Sequence, residues 1–460
     1  MIPRPILFLF LALLPSLLSA AEPQRRLLDY APAPVDNPLK GLVPYQADVR
    51  SRFPHSLEFN YLPYSALVKG YDDFDWAPLE KLLNDIASRG HQAVFRVFLE
   101  YPNRKEVIPA FLLRDGLKVH TYTNSNTQPF PPALVETPDY ADPNLRKSLR
   151  NFITALGRKY DGDPRIGFIT AGLLGTWGEW HTHPRNDLFA SREVQREVMD
   201  AYESAFRTTP VLLRYPAGEN DPRKQSNADR PFGYHDDSFA WATLDTGRKA
   251  DSWFYMTVLQ ASGPGALAKW KTQPIGGEIR PEAWGHVFDP NPGDARIQDF
   301  QTCVEATHAS WLMDSGLFRK QQPEDRLARA TNAVRRMGYE FHAPAVTISP
   351  VTDHQVEVRL EIVNRGVAPF YYDWKPEYAL LDGTRPLRTF TGSGKLRGIL
   401  PGESPTLWTD RLSVQGLPSG TWHLALRIAN PLPNGKPLRF ANATPDPTHD
   451  WLPLGEVRVP

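Results

Sequence analysis

Residues 142–183 read DPNLRKSLRNFITALGRKYDGDPRIGFITAGLLGTWGEWHTH. The stretch opens as a helix. Asp142 stands where an N-cap side chain accepts the first free amides, and Pro143 takes the first helical position, where a missing N–H is harmless. Leu145, Leu149, Phe152, Ile153 and Leu156 fall on one stripe, the face that packs on a sheet. After the turn at 161–165, Ile166 to Leu174 is a short apolar run of the kind a buried strand shows, and ionisable residues follow it. Helix, buried strand and polar turn make one strand-helix unit of a parallel sheet.

The same unit recurs outward in both directions. Upstream, Asp75 precedes a helical pattern that ends at Gly90, and GHQAVFRVFLEYP (90–102) then runs almost wholly apolar, as a strand covered on both faces does. Its one charge, Arg96, must point into a polar mouth or find a partner. The strands expected are Gly41 to Tyr45, Leu57 to Tyr61, Ala93 to Tyr101, Ile166 to Leu174, Val211 to Tyr215, Phe232 to Asp237, Pro274 to Ile279 and Ala309 to Met313. Eight such strands close a barrel. Beyond about His342 the texture changes to period-2 runs, VEVRLEIV (356–363), WHLALRI (422–428) and LGEVRV (454–459), divided by Gly, Pro and Asn. The expected fold is therefore α/β, a (β/α)8 TIM-type barrel over 22–343 followed by an antiparallel β-sandwich over 344–460. Tyr122 to Pro138, rich in Thr, Asn and Pro, reads as a long surface loop.

At the start, PILFLFLALLPSLL (5–18) follows Arg4 and is ended by Ser19, Ala20 and Ala21, the pattern of a signal peptide cleaved near Ala20 or Ala21. The run is shorter than the roughly 20 residues a spanning helix needs. The expectation is an exported protein, periplasmic or secreted, without a membrane segment once the leader is removed. Cys303 is the sole cysteine among 460 residues, which excludes an intrachain disulfide and points to a bacterial exterior. Lys plus Arg number 52 and Asp plus Glu 52, so no basic field marks a nucleic-acid partner. With 45 Pro, 12 Trp and 17 Tyr, rigid loops and aromatic faces are plentiful. No feature of the sequence sets the oligomeric state, and no cofactor motif is present.

Barrel chemistry sits at the carboxyl ends of the strands. Glu179 follows the fourth expected strand and Glu278 ends the seventh, so both can face one mouth. Hydrolysis of a glycosidic bond needs such a pair, one carboxylic acid for the leaving oxygen and one carboxylate to attack or to activate water. Trp177 and Trp180 flank Glu179 and are expected to raise its pKa, while Arg280, two positions beyond Glu278 on a strand, is expected to hold that group ionised. Gly175, Gly178, Gly276 and Gly277 allow close backbone approach before each acid. Polar mouth candidates are Glu100, His181, Arg214, His235, Asp236 and Asp237, of which Glu100, His181, Arg214 and Asp236 are taken with Arg96, Trp177, Trp180 and Arg280 as sugar contacts.

The stretch 142–183 resembles the helix, strand and acid/base turn of barrel glycoside hydrolases, the clan with its acid after strand four and its nucleophile after strand seven. NPLKGLVPY (37–45) and RIANPLPNGKPLRFANATPDPTHDWLPLGEV (427–457) are similar to exported bacterial barrel-plus-sandwich proteins known only as domains of unknown function. The resemblance implies acid/base for Glu179, nucleophile for Glu278, support of the nucleophile by Arg96 and a sugar-stacking platform at Trp311. Where that clan carries asparagine ahead of the acid, this chain has Gly178. Two rival readings exist. One is a barrel that binds a glycan without turnover. The other is a zinc-dependent hydrolase built on His181 and His183, with His235, His286, His308 and Asp314 as further ligands. The position of the H-x-H pair after strand four, followed at once by Pro184, argues against the latter, and no metal is assigned.

Overall fold

The structure, a computed structural model, describes residues 22–46, 53–125, 131–444 and 450–460. The leader expected over 1–21 lies outside them. Eight strands form one parallel sheet: β1 (Gly41–Val43), β2 (Leu57–Pro63), β3 (Gln92–Phe98), β4 (Ile166–Thr170), β5 (Val211–Leu213), β6 (Gly233–Phe239), β7 (Ile275–Ile279) and β8 (Ala309–Met313). Neighbours in space follow chain order throughout, and β8 pairs with β1 through Trp311–Gly41 and Met313–Val43. The ring is nearly closed. Its last seam is a single bridge between Tyr45 and Phe59, with the Phe59 amide donating to the Pro44 carbonyl at 2.8 Å. This is a TIM-type barrel.

The helices pack as their patterns require. Pro143–Tyr160 is capped by Asp142, whose Oδ1 accepts from the amides of Asn144 and Leu145 at 2.8 and 3.0 Å, and its Leu145, Leu149, Phe152, Ile153 and Leu156 stripe is buried. Ala77–Ser88 and Arg192–Ala205 serve the neighbouring units in the same way. Helices Phe300–Thr307 and Glu324–Arg335 flank β8 in the chain. Every residue of β3 is buried, Arg96 included, because helices cover one face and the barrel interior the other.

Alternation along the strands sorts the interior into layers. Leu57, Val94, Phe168 and Trp311 belong to one buried apolar cluster, with the Phe168 and Trp311 rings stacked 5.9 Å apart. Two residues on toward the carboxyl end of β3 and β4 come Arg96 and Thr170, where the polar side chains of β6 and β7 also gather, while β2 and β8 carry Phe59 and Met313. The apolar layer continues downward into two four-stranded antiparallel sheets. One contains Gln24–Leu27, Phe341–Ile348, Gln355–Asn364 and Thr406–Ser413, and the other Arg385–Thr391, Pro376–Asp382, Gly420–Ile428 and Leu452–Val459. Val358, Leu360, Tyr378, Leu380, Leu424 and Leu426 from these sheets join the same cluster as the barrel floor. Tyr372 donates its hydroxyl to the Gly167 carbonyl at 2.5 Å, at the amino end of β4. The sheets thus cover the amino end of the barrel and leave the carboxyl end open.

One segment departs from expectation. Val119–Asn124 and Ala133–Pro138 pair as an antiparallel hairpin where composition suggested an irregular loop. Alternate Val119, Thr121, Thr123, Val135 and Thr137 supply the β-branched character that the Asn and Pro residues obscured.

Candidate active site at the carboxyl end of the barrel

The turn after β4 is built from backbone contortion. Leu173, Gly175, Trp177, Gly178 and Trp180 all have positive φ, between 55° and 78°. It is fixed by hydrogen bonds from the Thr176 amide to the His181 carbonyl (2.8 Å), from Trp180 to Leu174 (2.9 Å) and from Trp177 to Glu100 (2.9 Å). Gly178 has φ 72° and lies against β3. A Cβ there would sit 3.1 Å from Gly172 Cα and 3.3 Å from both Arg96 Cδ and the Val97 carbonyl. The position has room for glycine and little else, and Glu179 is thereby carried inward. Glu278 needs a different device: a Cβ on Gly276 would fall 2.1 Å from the Trp311 ring, so the glycine makes space for the indole directly beneath the acid.

Three carboxyls meet. Glu179, Asp237 and Glu278 each offer an oxygen, and these oxygens lie within 4.8 Å of one another. They face a hollow of about 1480 Å³ that is also lined by Tyr45, Tyr61, Tyr101, Trp177, His181, Arg214 and Trp284. Arg96, only 2% exposed, ties the group together from below. Its guanidinium donates to Thr170 Oγ1 (3.1 Å), Tyr61 Oη (3.3 Å), Glu179 Oε1 (3.3 Å) and Asp237 Oδ1 (2.9 Å). Arg214 Nε stands 3.1 Å from Asp237 Oδ2, and His235 Nδ1 lies 3.1 Å from Asp237 Oδ1. His181 Nε2 lies 3.4 Å from Glu179 Oε2.

Protonation follows from these contacts. Burial works to raise the Asp237 carboxyl, but Arg96, His235 and Arg214 outweigh it and hold the group well below the usual carboxylate range. Burial pushes His235 down to about 4, so its ring is neutral at pH 7. Glu278 moves the other way. Burial, then the charges of Asp237 and Glu179, push it well above the ordinary value of 4.5, against the opposing pull of Arg96 and a hydrogen bond from Tyr61. Burial and like charge thus favour the protonated form of Glu278.

Several expectations are corrected by this geometry. Arg280 does not hold Glu278 ionised. Its Nε donates to Glu282 at 3.0 Å, because the strand ends at Ile279 and the two-residue alternation ends with it. Asp236 does not reach the mouth. It points behind β6, where Thr243 Oγ1 donates to it at 2.7 Å, and Asp237, one residue on, takes the inward place. Glu100 is fully buried under the Glu179 turn, accepting from Thr137 Oγ1 (2.6 Å) and Tyr140 Oη (2.5 Å), and burial pushes it up to about 7. Trp311 is 1% exposed within the barrel floor and offers no sugar platform; Trp284 lines the hollow instead. Trp180 touches the hollow but is 5% exposed, with its indole N–H given to the Ala171 carbonyl at 2.5 Å. Trp177, His181, Arg214 and Arg280 do line the hollow, and Arg96 lies beneath it.

The histidines of the zinc reading do not converge. His235 is buried against Asp237, His308 stacks on Trp270 at 3.6 Å, and His286 pairs with Asp289 at the surface. Asp314 accepts from the amides of Gly285 and Leu317. Missed from sequence were Tyr45, Tyr61, Tyr101 and Trp284. Tyr45 and Tyr101 follow β1 and β3 and Tyr61 lies near the carboxyl end of β2, and that placement was a readable signal.

No family model and no curated protein matches the chain. Among solved structures the chain is similar to an endoglycoceramidase II from Rhodococcus sp., at 11% identity over 84% of this chain and 99% of that one, with a TM-score of 0.40. It is also similar to an endoglucanase from Pseudomonas stutzeri (10% identity, 60% of this chain and 81% of that one, TM-score 0.34). An endo-β-1,4-mannanase from Thermotoga petrophila follows at 9% identity, 94% of this chain and 98% of that one, with a TM-score of 0.29. At such scores the likeness assigns neither family nor activity.

Proposed function

We propose that this protein is an exported glycoside hydrolase that cleaves O-glycosidic bonds of a poly- or oligosaccharide with retention, using Glu179 and Glu278. The observation that carries the reading is the approach of their carboxyl oxygens to within 4.8 Å across one open hollow. Retaining enzymes hold their pair about 5 to 5.5 Å apart, whereas inverting ones need about 6.5 to 9.5 Å to fit a water. Aromatic faces at Tyr45, Tyr61, Tyr101 and Trp284 suit the apolar faces of pyranose rings.

Double displacement needs one proton shared between the two glutamates. Burial and its acidic neighbours favour the protonated form of Glu278 when no sugar is bound. A sugar whose anomeric carbon gains positive charge beside Glu278 favours the ionised form of that group, and the reaction requires the proton on Glu179. Glu278 attacks the anomeric carbon as Glu179 gives its proton to the leaving oxygen, forming a glycosyl ester. Glu179 next takes a proton from water, the hydroxide oxygen displaces Glu278, and both groups are restored. Arg96 and Tyr61 hold the pair in place throughout. We read residues 1–21 as a cleaved leader, 22–343 as the catalytic barrel and 344–460 as an accessory β-sandwich, to which the strand Gln24–Leu27 is joined by pairing with Phe341–Ile348.

The test is reducing-end release from a panel of polysaccharides. Wild type is expected to turn over, with the first product keeping its anomeric configuration by NMR. Glu179→Gln and Glu278→Gln should each lower kcat by about 10³-fold or more while the fold persists. Binding without turnover by the wild type would favour a non-catalytic glycan-binding barrel, and inverted product would remove the double-displacement step.

A further inference from the structure

One wall of the hollow gathers three cations, of which only Arg214 has an ion pair among the described residues, with Asp237 and Asp236. Arg214, Arg223 and Lys224 line it together. The Arg214 guanidinium lies 4.3 Å from the centre of the Tyr215 ring and the Lys224 ammonium 3.5 Å from the same centre, so two cations share one aromatic side chain. Lys224 is half-buried, and among the described residues its ammonium has neither a hydrogen bond nor an ion pair. Asp221 is the acid beside it, but Asp221 Oδ1 already accepts from the backbone amides of Arg223 and Lys224 at 2.8 and 2.7 Å. Burial, with Arg214 and Arg223 adding to it and Asp221 opposing, pushes Lys224 down to about 8. Elsewhere in the lining Arg280 is paired with Glu282.

Crowded cations of this kind are unfavourable in an empty, partly desolvated site and become favourable when an anion enters. A neutral hydroxyl cannot discharge them. An anionic oxygen can, through charge-assisted hydrogen bonds. The wall also lies close to the reaction. Arg214 touches Asp237, and Asp237 is within 4.8 Å of both Glu179 and Glu278.

We propose that Arg214, Arg223 and Lys224 form a subsite for an anionic substituent, a carboxylate or a sulfate ester, on a sugar ring adjoining the bond that is cut. The preferred glycan is then a polyuronide or a sulfated polysaccharide. As a statement about substrate this rests on the hydrolase reading, but the binding it predicts does not require turnover.

Accordingly the test is titration calorimetry of the full chain carrying Glu278→Gln, with polygalacturonate, its carboxyl-reduced polymer, a sulfated galactan and a neutral glucan. Binding of an acidic polymer at least about tenfold tighter than the reduced or neutral ones, weakening as salt rises, is expected. Adding Lys224→Met, which keeps most of the aliphatic stem, should weaken that binding about tenfold and flatten its salt dependence, with circular dichroism unchanged. Preference for the uronide over the galactan names the carboxylate, and the reverse names the sulfate. Equal binding to the reduced polymer, or binding to neutral glucan alone, overturns the subsite and leaves the hydrolase reading standing. Acidic polymer bound tightly by a wild type that cleaves nothing supports the subsite and removes the hydrolase.

Discussion

Glu179 rides on a turn in which residues 173–180 repeatedly enter left-handed backbone space, whereas Glu278 sits within β7, opposite Met313 of β8 and at a register shift against β6 between Gly277 and Ile279. Non-glycine residues with positive φ cost of order 1 kcal/mol each and persist only where surroundings impose them. At the turn those surroundings are a small set of hydrogen bonds, among them the Trp177 amide to the Glu100 carbonyl and the Gly175 amide to Tyr140 Oη. In the strand they are the sheet itself and the indole of Trp311 beneath Gly276. One acid is therefore aimed by a locally supported device and the other by the core. Damage to the first should touch catalysis before stability, and damage to the second should do both at once.

Gly276→Val attacks the strand. The new side chain begins 2.1 Å from the Trp311 ring, and the ring is locked by Phe168 below, so the floor must open. We expect a loss of about 3 kcal/mol or more in urea unfolding, with activity falling in step. A wild-type midpoint would mean that the floor yields and that the contrast is false. Glu100→Gln probes the support of the turn. Burial raises Glu100 from 4.5 to about 7, so the native state binds its proton more tightly than the unfolded chain does. Its contribution is fully present below pH 4.5 and is lost as pH rises through about 7. Wild-type stability should fall by up to about 3 kcal/mol over that window on account of this group, and the glutamine variant should show a correspondingly shallower fall. Parallel curves for the two proteins would show that Glu100 does not titrate there. Gly178→Ala is the mildest in stability, about 1 kcal/mol for a methyl group at φ 72°, yet kcat should drop at least tenfold because the turn that aims Glu179 must shift. Equal proportional losses in stability and rate would erase the distinction between the two supports.

Much of the fold was legible. The eight strand positions and the stripe of Pro143–Tyr160 follow from periodicity, since burial of one face imposes a repeat on the residues themselves. The hairpin at 119–138 was not, because its β-branched residues were diluted by Asn and Pro. For the site, strand ends located Glu179, Glu278 and Arg214, and a lone charge in an apolar run located Arg96, but electrostatics read from neighbours in sequence misassigned the partner of Arg280. Arg280 is near Glu278 in the chain and turns to Glu282; Arg96, distant in the chain from both Glu179 and Asp237, binds both. Asp236 and Asp237 differ by one position, and a strand sends adjacent side chains to opposite faces.

By itself, then, the sequence determined which residues would be strands, which would be helices, and that two acids would stand at the open end of a ring. Those are consequences of local pattern, and local pattern is written in the chain. The tertiary structure decided which acid is pushed toward its protonated form and which is held ionised, and which cations are answered, because burial and Coulomb interactions depend on distances through space between segments the chain order leaves far apart.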